Sequence, residues 1–248
     1  MLRTRPLLQA SRQLPGRCQV CGRWPAQPVC TACLQRFAAH RFRCLRCAVP
    51  MALDHAMCGA CLTRRTPAPV HRCVAVLDYG YPWDGLIARW KFGAEAGWSG
   101  LWADLMLRDT QVLPLLRDSE VLVPVPIGQQ RLADRGFNQA WELANALLRR
   151  TTTPRPRALV DALVRVRDTP DQHSLPRAQR LQNLRGAFAA HPQHGSTLAG
   201  THVLLVDDVS TTGATLEAAA QALLDSGAAR VQALVLARTP PSEQASTH

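Results

Sequence analysis

Apolar residues along the last two thirds of the chain follow two alternating periods, which predict strands and helices in turn. Four short apolar runs bounded by turn residues are typical of buried strands: residues 73–79, 121–126, 203–206 and 231–236. Apolar positions three and four residues apart predict four helices between them: residues 83–90, 98–108, 133–150 and 215–226, the last ending before Gly227. Such alternation predicts an α/β fold with a mostly parallel sheet flanked by helices.

The first third of the chain lacks these periods and is marked instead by eight cysteines. They form four Cys-x-x-Cys pairs separated by 8, 10 and 10 residues: Cys18, Cys21, Cys30, Cys33, Cys44, Cys47, Cys58 and Cys61. Two such pairs complete one tetrahedral site, so the pattern predicts two structural Zn²⁺ ions whose coordination is filled by sulfur. Binding of this kind contributes roughly 10–16 kcal/mol per site, enough to fold a segment without a core.

Two questions about these cysteines stay open. Disulfides or a redox Cys-x-x-Cys are the alternatives to metal, and the even spacing of the four pairs favours metal. The pairs can combine consecutively, as residues 18–33 and 44–61, or they can interleave. We prefer consecutive pairing because it needs only short loops.

Breaks in the pattern divide the chain. Residues 63–69, TRRTPAP, carry two prolines and two charges, and they predict a linker. We therefore expect a zinc-ribbon module at residues 1–66, an α/β domain at residues 70–240 and a disordered tail at residues 241–248. Residues 168–186 have little apolar content and predict the longest mobile segment.

The net charge of +11 is confined to the N-terminal third. Residues 1–72 hold 12 arginines, no lysine and one acid, whereas residues 73–248 hold 17 basic and 17 acidic groups. Two Zn(Cys)₄ centres of charge −2 would lower the module from +11 to +7. Aromatic residues among the arginines predict a nucleic-acid surface, through phosphate pairing and base stacking. The alternative is a solvated basic face that only keeps the module soluble.

The hydropathy of the chain indicates where in the cell we expect the protein. No apolar run approaches the roughly 20 residues that span a bilayer, so we expect no membrane insertion. The N-terminus is basic but lacks the apolar core and cleavage site of a secretory signal. We therefore expect a cytoplasmic protein, a location where cysteines serve metal ligation more often than disulfides.

The segment VLLVDDVSTTGAT, residues 203–215, carries the clearest chemistry. Its loop supplies backbone amides and hydroxyls at the start of a predicted helix, an arrangement that favours a phosphate. Asp207 and Asp208 would repel that phosphate, so we expect them to meet hydroxyls of the same ligand, directly or through Mg²⁺. The segment thus predicts a sugar with a 5′-phosphate. The chain has neither G-x-x-x-x-G-K-[ST] nor G-x-G-x-x-G after a strand, which argues against a Walker-type NTPase and a dinucleotide-binding protein.

This segment resembles the phosphoribosyl-pyrophosphate (PRPP) motif of type I phosphoribosyltransferases. Almost the whole chain resembles the ComF competence family (GntX-like proteins), which joins such a domain to an N-terminal double zinc ribbon. Residues 123–144, residues 165–188 and the KFG around Lys91 carry further similarity. The resemblance implies a type I phosphoribosyltransferase-like fold.

The resemblance also implies roles for individual residues. Asp207 and Asp208 would hold the ribose hydroxyls as the catalytic pair. The 5′-phosphate would lie against the following loop: Ser210, Thr211, Thr212, Gly213, Ala214 and Thr215. Ser210 departs from the family pattern, in which a larger apolar residue is common. The remaining residues expected to bind PRPP are Arg131, Arg135 and Gly136 at the pyrophosphate, Arg177 and Arg180 on a flap at residues 168–186, and Lys91.

Two functions follow. The first is a DNA-uptake protein of natural transformation that binds PRPP, or a related phosphorylated ribose, with Mg²⁺, and also single-stranded DNA, with DNA-processing proteins as further partners. The second is an active phosphoribosyltransferase, a pentosyltransferase acting on a nitrogen acceptor, whose zinc module is purely structural. No segment clearly selects an acceptor, and the family association with transformation favours the first.

Overall fold

A computed structural model describes residues 16–93, 97–152, 154–167, 184 and 186–241. The chain divides into two compact units, residues 1–39 and residues 40–248. The first four cysteines of the ribbon pattern lie in the first unit, and the last four lie in the second unit together with the sheet. The sequence analysis placed a domain boundary at residues 66–70, whereas the two compact units meet at residues 39 and 40. The predicted domain boundary stays a prediction.

The second unit is built on a five-stranded parallel sheet of order β1-β7-β6-β2-β3, beside a two-stranded antiparallel sheet of β4 and β5. The strands are β1 Arg72–Asp78, β2 Val121–Pro124, β3 Arg157–Ala158, β4 Leu163–Arg165, β5 Phe188–Ala190, β6 His202–Ser210 and β7 Arg230–Arg238. The central strand, β6, is the one that carries the acid pair.

Helices fill most of the connections. They are α1 Thr31–Phe37, α2 Gly59–Leu62, α3 Trp83–Phe92, α4 Trp98–Met106, α5 Val112–Arg117, α6 Gln129–Arg135, α7 Gln139–Arg150, α8 Gly195–Leu198 and α9 Ala214–Asp225. A 3₁₀ turn, Pro192–His194, precedes α8. Within the described ranges, every helix is too short or too polar to cross a membrane.

The predicted α/β class, with a mostly parallel sheet flanked by helices, is confirmed. One predicted helix, residues 133–150, is wrong because the segment forms two helices. Gly136 ends α6 with a φ of 76°, a left-handed conformation that glycine adopts without steric cost. Asn138 then begins α7, its side-chain oxygen accepting a hydrogen bond from the N–H of Ala140 at 2.9 Å.

Both faces of the sheet are buried. Val203 and Leu205 of β6 belong to a core that also contains Leu216 and Leu223 of α9. Leu204, between them on the other face, is equally inaccessible, and α7 packs against β6 and β2 there. The acid pair of β6 therefore lies on a strand that is packed on both faces.

Four tryptophans form a packed group on α3 and α4. Trp102 lies at its centre, with ring centroids 6.3 Å from Trp83, 6.3 Å from Trp90 and 5.4 Å from Trp98. Aromatic contacts of this geometry add to the free energy of burial. They fix α3, the helix that ends with Lys91 and Phe92, against α4.

Candidate functional site

The cysteines of the first unit form one cluster. The Sγ atoms of Cys18, Cys21, Cys30 and Cys33 all lie within 4.8 Å of one another. Cys18 and Cys33 are 3.8 Å apart, as are Cys21 and Cys30. A tetrahedral ion with metal–sulfur bonds of about 2.3 Å separates its ligands by roughly 3.8 Å, whereas a disulfide needs about 2.05 Å. The four thiols therefore fit one tetrahedral metal ion.

The backbone of this cluster favours a thiolate at Cys18. Burial alone would raise the pKa of Cys18, but N–H groups of Cys30, Cys21 and Val20 point at its sulfur and lower the pKa to about 6. Burial and the neighbouring thiols raise the pKa of Cys33 to about 12. A bound cation is what stabilises a thiolate at a position such as Cys33, beside three further thiols.

The second cluster has the same spacing. The Sγ atoms of Cys44, Cys47, Cys58 and Cys61 lie within 4.8 Å of one another, with 3.8 Å between Cys47 and Cys58. The eight cysteines are thus grouped consecutively, and each group fits a tetrahedral metal ion. Over the ranges that the structure describes, these two are the only groups of metal-ligating side chains so arranged.

The second cluster packs against the parallel sheet. Ala48 follows Cys47 directly and is fully buried in the main hydrophobic core. The N–H of Cys73 on β1 donates to the carbonyl of Leu45 at 2.8 Å. Arg43 Nη2 lies 2.7 Å from Asp78 Oδ1 at the end of β1. This cysteine segment is therefore part of the body that carries the acid pair.

Asp207 and Asp208 lie near the carboxyl end of β6, the edge where open α/β sheets place their ligands. Asp208 is buried, and its Oδ2 lies 3.0 Å from the Nζ of Lys91 on α3. Lys91 is the only lysine in the chain. The structure thus brings together three residues that the sequence predicted at one site.

The pKa of Asp207 is raised to about 8, first by burial and second by the adjacent carboxylate of Asp208. The N–H of Asp208, which donates to Asp207 Oδ1 at 2.8 Å, and the charge of Lys91 oppose this shift. The charge of Lys91 therefore offsets this shift only in part. Carboxylate oxygens are the ligands that Mg²⁺ prefers.

The loop after β6 has the geometry expected of a phosphate site. Gly213 caps α9 with a φ of 84°, and Thr212 Oγ1 accepts a weak hydrogen bond from the N–H of Ala214 at 3.4 Å. Thr211, Thr212 and Thr215 keep some exposure, whereas Ser210 ends the strand and is buried. The first-turn amides of α9 lack partners from a preceding turn, and with the positive end of the helix dipole they favour an anion.

The predicted pyrophosphate residues lie on α6 and its end. The guanidinium of Arg135 lies 4.9 Å from the ring centroid of Phe92, which is the residue after Lys91. Arg131 lies one turn earlier on the same helix, and Gly136 ends it. Arg135 is thereby placed beside the Lys91 segment. Arg177, Arg180 and residues 168–183 of the expected flap lie outside the described residues.

The sequence analysis missed one residue at the site, Arg238. It is the last residue of β7, lies opposite Ser210 in the strand register and is only 6% exposed. Its guanidinium donates to the carbonyl oxygens of Cys47 and Ser210. In the sequence it ends an apolar run, where an arginine is unremarkable. Its contacts with Cys47 and Ser210 are visible only in three dimensions.

Comparison with known proteins agrees with this geometry. Residues 132–247 match the family model described as phosphoribosyl transferase domain. The parallel sheet, its acid pair and the loop that follows define a protein of the phosphoribosyltransferase-domain class with two four-cysteine clusters. Named relatives match most of the chain, so the likeness extends to the cysteine-rich segment. The chain belongs to the ComF competence family.

Three relatives illustrate that membership. DNA utilization protein YhgH of Escherichia coli strain K12 is 34% identical over 237 residues, which cover 91% of this chain and 98% of that protein. Competence protein F of Haemophilus influenzae is 30% identical, with coverage of 85% and 90%. Competence protein ComFC of Bacillus subtilis is 30% identical, with coverage of 87% and 86%. These names concern the use of DNA and competence.

Proposed function

We propose that this protein acts in DNA uptake and binds PRPP, or a related phosphorylated ribose, with Mg²⁺ at residues 207–215. Single-stranded DNA is its second ligand. The observation that carries the sugar site is the 3.0 Å contact of Lys91 with Asp208, immediately before a loop that ends in the left-handed Gly213. A cation, two carboxylates and a helix N-terminus lie in sequence along one sheet edge. The two carboxylates match a ribose diol and a metal ion, and the helix N-terminus matches the 5′-phosphate.

Mg²⁺ is the cation that we assign to the acid pair. Its charge would remove the repulsion that raises the pKa of Asp207, and oxygen ligands suit it. It would supply charge neutralisation for the pyrophosphate of PRPP. The chain's own part is to orient the ribose hydroxyls through Asp207 and Asp208 and to hold the phosphate on the amides that follow. Lys91 pairs with Asp208 in the structure, at 3.0 Å.

For single-stranded DNA we favour the first unit. Arg17, Arg23 and Arg36 are exposed, and residues 1–39 contain no acid. Trp24, adjacent to Arg23, has 60% of its surface exposed. Such residues pair with phosphates and stack on bases.

The arginines of the second cysteine segment are less suited to that role. Arg41 and Arg43 pair with Asp78, Arg64 pairs with Glu217, and Arg72 donates to Gln111. Because these cations are occupied within their own unit, they have less to offer a nucleic acid. The location that we propose, the cytoplasm, would keep the thiols reduced and available to metal.

A second candidate function is transfer of the phosphoribosyl group to a nitrogen acceptor. The intact acid pair and the phosphate-type loop favour it, because both are what displacement of pyrophosphate at the anomeric carbon would require. A fold does not establish turnover, and the acceptor is not evident from the described residues.

One experiment separates the two candidates. The full chain is titrated with PRPP and Mg²⁺ by calorimetry and then incubated with purine, pyrimidine and amine acceptors while pyrophosphate is measured. Binding without acceptor-dependent pyrophosphate release supports the DNA-uptake role, and acceptor-dependent release supports the transferase. Absence of PRPP binding at millimolar concentration would refute the sugar site in both.

A further inference from the structure

Arg238 joins the second cysteine cluster to the phosphate-type loop. Its Nε donates to the carbonyl of Cys47 at 2.9 Å, and its Nη1 donates to the carbonyl of Ser210 at 3.1 Å and to that of Thr239 at 2.9 Å. The side chain is almost fully buried. Hydrogen bonds from a buried charged group are stronger than those between neutral groups. The guanidinium of Arg238 thus binds both the carbonyl of Cys47, in the second cysteine cluster, and the carbonyl of Ser210, just before the loop.

A second link reaches the helix that follows the loop. Arg64, three residues after Cys61, places Nη1 2.7 Å from Oε1 of Glu217 in the first turn of α9. The pair is largely shielded from water, with side-chain exposures of 25% and 15%. Together, Arg238 and Arg64 hold the loop at its beginning and at the helix into which it runs.

One small pocket is lined both by the second cysteine segment and by the loop. Cys47, Cys61 and Arg64 line one wall of a small pocket of about 20 Å³, and Ser210, Thr212 and Gly213 line the other. A space of this size admits about one water molecule and no larger ligand. The cysteine segment therefore lies close to the loop, with both lining this pocket.

The second cysteine segment, residues 44–61, contains little regular secondary structure. Between Cys44 and Cys61 the regular elements are the four residues of α2 and the isolated bridge from Arg43 to Pro50. A segment with so little regular secondary structure depends on cross-linking for its shape. Metal at the second cluster would fix the Cys47 carbonyl on which Arg238 is anchored.

We propose that the second cysteine cluster, from which the contacts above reach the phosphate loop, is a metal-dependent support for that loop, with Arg238 as the positioning residue between them. Only the identity of the ligand, PRPP or a related phosphorylated ribose, rests on the proposed function. Loss of metal from residues 44–61 loosens residues 210–215, whereas loss of metal from residues 18–33 leaves them unchanged. The two metal ions of the protein are therefore not equivalent.

The test compares Cys58→Ser with the matched variant Cys21→Ser in the full chain. Zinc content, amide hydrogen exchange of residues 211–214 and PRPP binding are measured on each, with exchange in α7 as the internal control. We expect both variants to lose one of two zinc ions. Only Cys58→Ser should speed exchange at the loop and weaken PRPP binding. Equal effects of the two variants, or a wild type without two zinc ions, would overturn the proposal.

A second variant covers the case in which Cys58→Ser unfolds and α7 also exchanges. Arg238→Lys keeps a buried cation but cannot donate to Cys47 and Ser210 together, and it leaves all eight thiols in place. We expect two zinc ions, unchanged exchange in α7 and faster exchange at residues 211–214. Unchanged loop exchange in Arg238→Lys would contradict the proposal. Amide hydrogen exchange is measured without PRPP. It therefore tests whether the second cluster supports the loop even if wild-type protein fails to bind PRPP.

Discussion

Lys91 and Asp208 form an ion pair of 3.0 Å between the end of α3 and the central strand of the sheet, with side-chain exposures of 16% and 11%. A pair so shielded leaves an uncompensated charge when one member is removed. Lys91→Met should therefore destabilise the protein by about 3 kcal/mol in urea unfolding. The double variant with Asp208→Asn should recover part of that loss, and equal stability of the single and double variants would contradict the pairing.

The acid pair itself is tested by ligand stabilisation. PRPP and Mg²⁺ at 100 times Kd should stabilise wild-type protein by about 2.7 kcal/mol, and Tm should rise by roughly 5–10 °C. The double variant Asp207→Asn with Asp208→Asn should lose the shift because it can hold neither the hydroxyls nor the metal. Asp104→Asn, an exposed acid on α4, is the control and should keep it. A full shift in the double variant would remove Asp207 and Asp208 from the site.

The raised pKa of Asp207 predicts how binding depends on pH. With a pKa of about 8 the group is mostly protonated at neutral pH, and it must release its proton to hold a metal. Affinity for PRPP with Mg²⁺ should rise from about pH 6.5 to about pH 8.5, after correction for the titration of PRPP itself. Calorimetry at several pH values in this range measures the affinity. An affinity that does not change with pH would contradict the assignment of Asp207 to the metal site.

The same pKa predicts the opposite trend for stability. The folded value lies above the unfolded value of about 3.9, so the folded protein binds more protons between about pH 4 and pH 8. The stabilising contribution of Asp207 is present in full below about pH 4 and is lost as pH rises to about 8. Asp207→Asn should flatten this part of the urea-unfolding profile relative to wild type, and a slope identical to that of wild type would count against the shift.

Gly213 tests the loop conformation. Its φ of 84° is a left-handed value, and alanine there costs roughly 1–2 kcal/mol. Gly213→Ala should lower stability by that amount and also weaken PRPP binding, because the amides at the start of α9 shift. Gly195, with a φ of −54°, gives the matched control, and Gly195→Ala should change neither property. Full PRPP affinity in Gly213→Ala would show that the loop does not bind the phosphate.

The arginines of the first unit test the DNA proposal. Arg17→Ala with Arg23→Ala in the full chain should reduce the slope of log K against log salt for single-stranded DNA, by roughly 0.7 for each phosphate that is no longer neutralised. Trp24→Ala should weaken binding by about 1–3 kcal/mol with little change in that slope. Arg65→Ala, an exposed arginine of the second unit, is the control. If only Arg65→Ala altered the slope, the DNA-binding surface would belong to the other unit.

The sequence predicted the parts of the fold that depend on local pattern. The four long strands were found because buried parallel strands are continuous apolar runs, while β3, β4 and β5 have two or three residues each and leave too weak a signal. The division of residues 133–150 was missed because its apolar stripe is continuous through Gly136. The consecutive grouping of the cysteines followed from their spacing.

The arrangement of the site was predictable only in part. Asp207, Asp208 and the loop after them lie next to one another in the sequence, so their proximity was assured. Lys91 came from the family resemblance, since nothing in its spacing pointed to Asp208. The link from Cys47 through Arg238 to Ser210 joins residues 191 positions apart. No local pattern specifies such a contact, because it arises when the whole sheet assembles.

The packed tryptophans on α3 and α4 give the protein an optical reporter. Trp90 belongs to that group and is the residue before Lys91, whereas Trp24 and Trp141 lie outside it. Indole emission responds to small changes in its surroundings, so a ligand that displaces Lys91 from Asp208 should alter the intrinsic fluorescence without any dye. Occupancy of the acid pair can thus be followed in a simple titration, and stopped-flow mixing would give its rates.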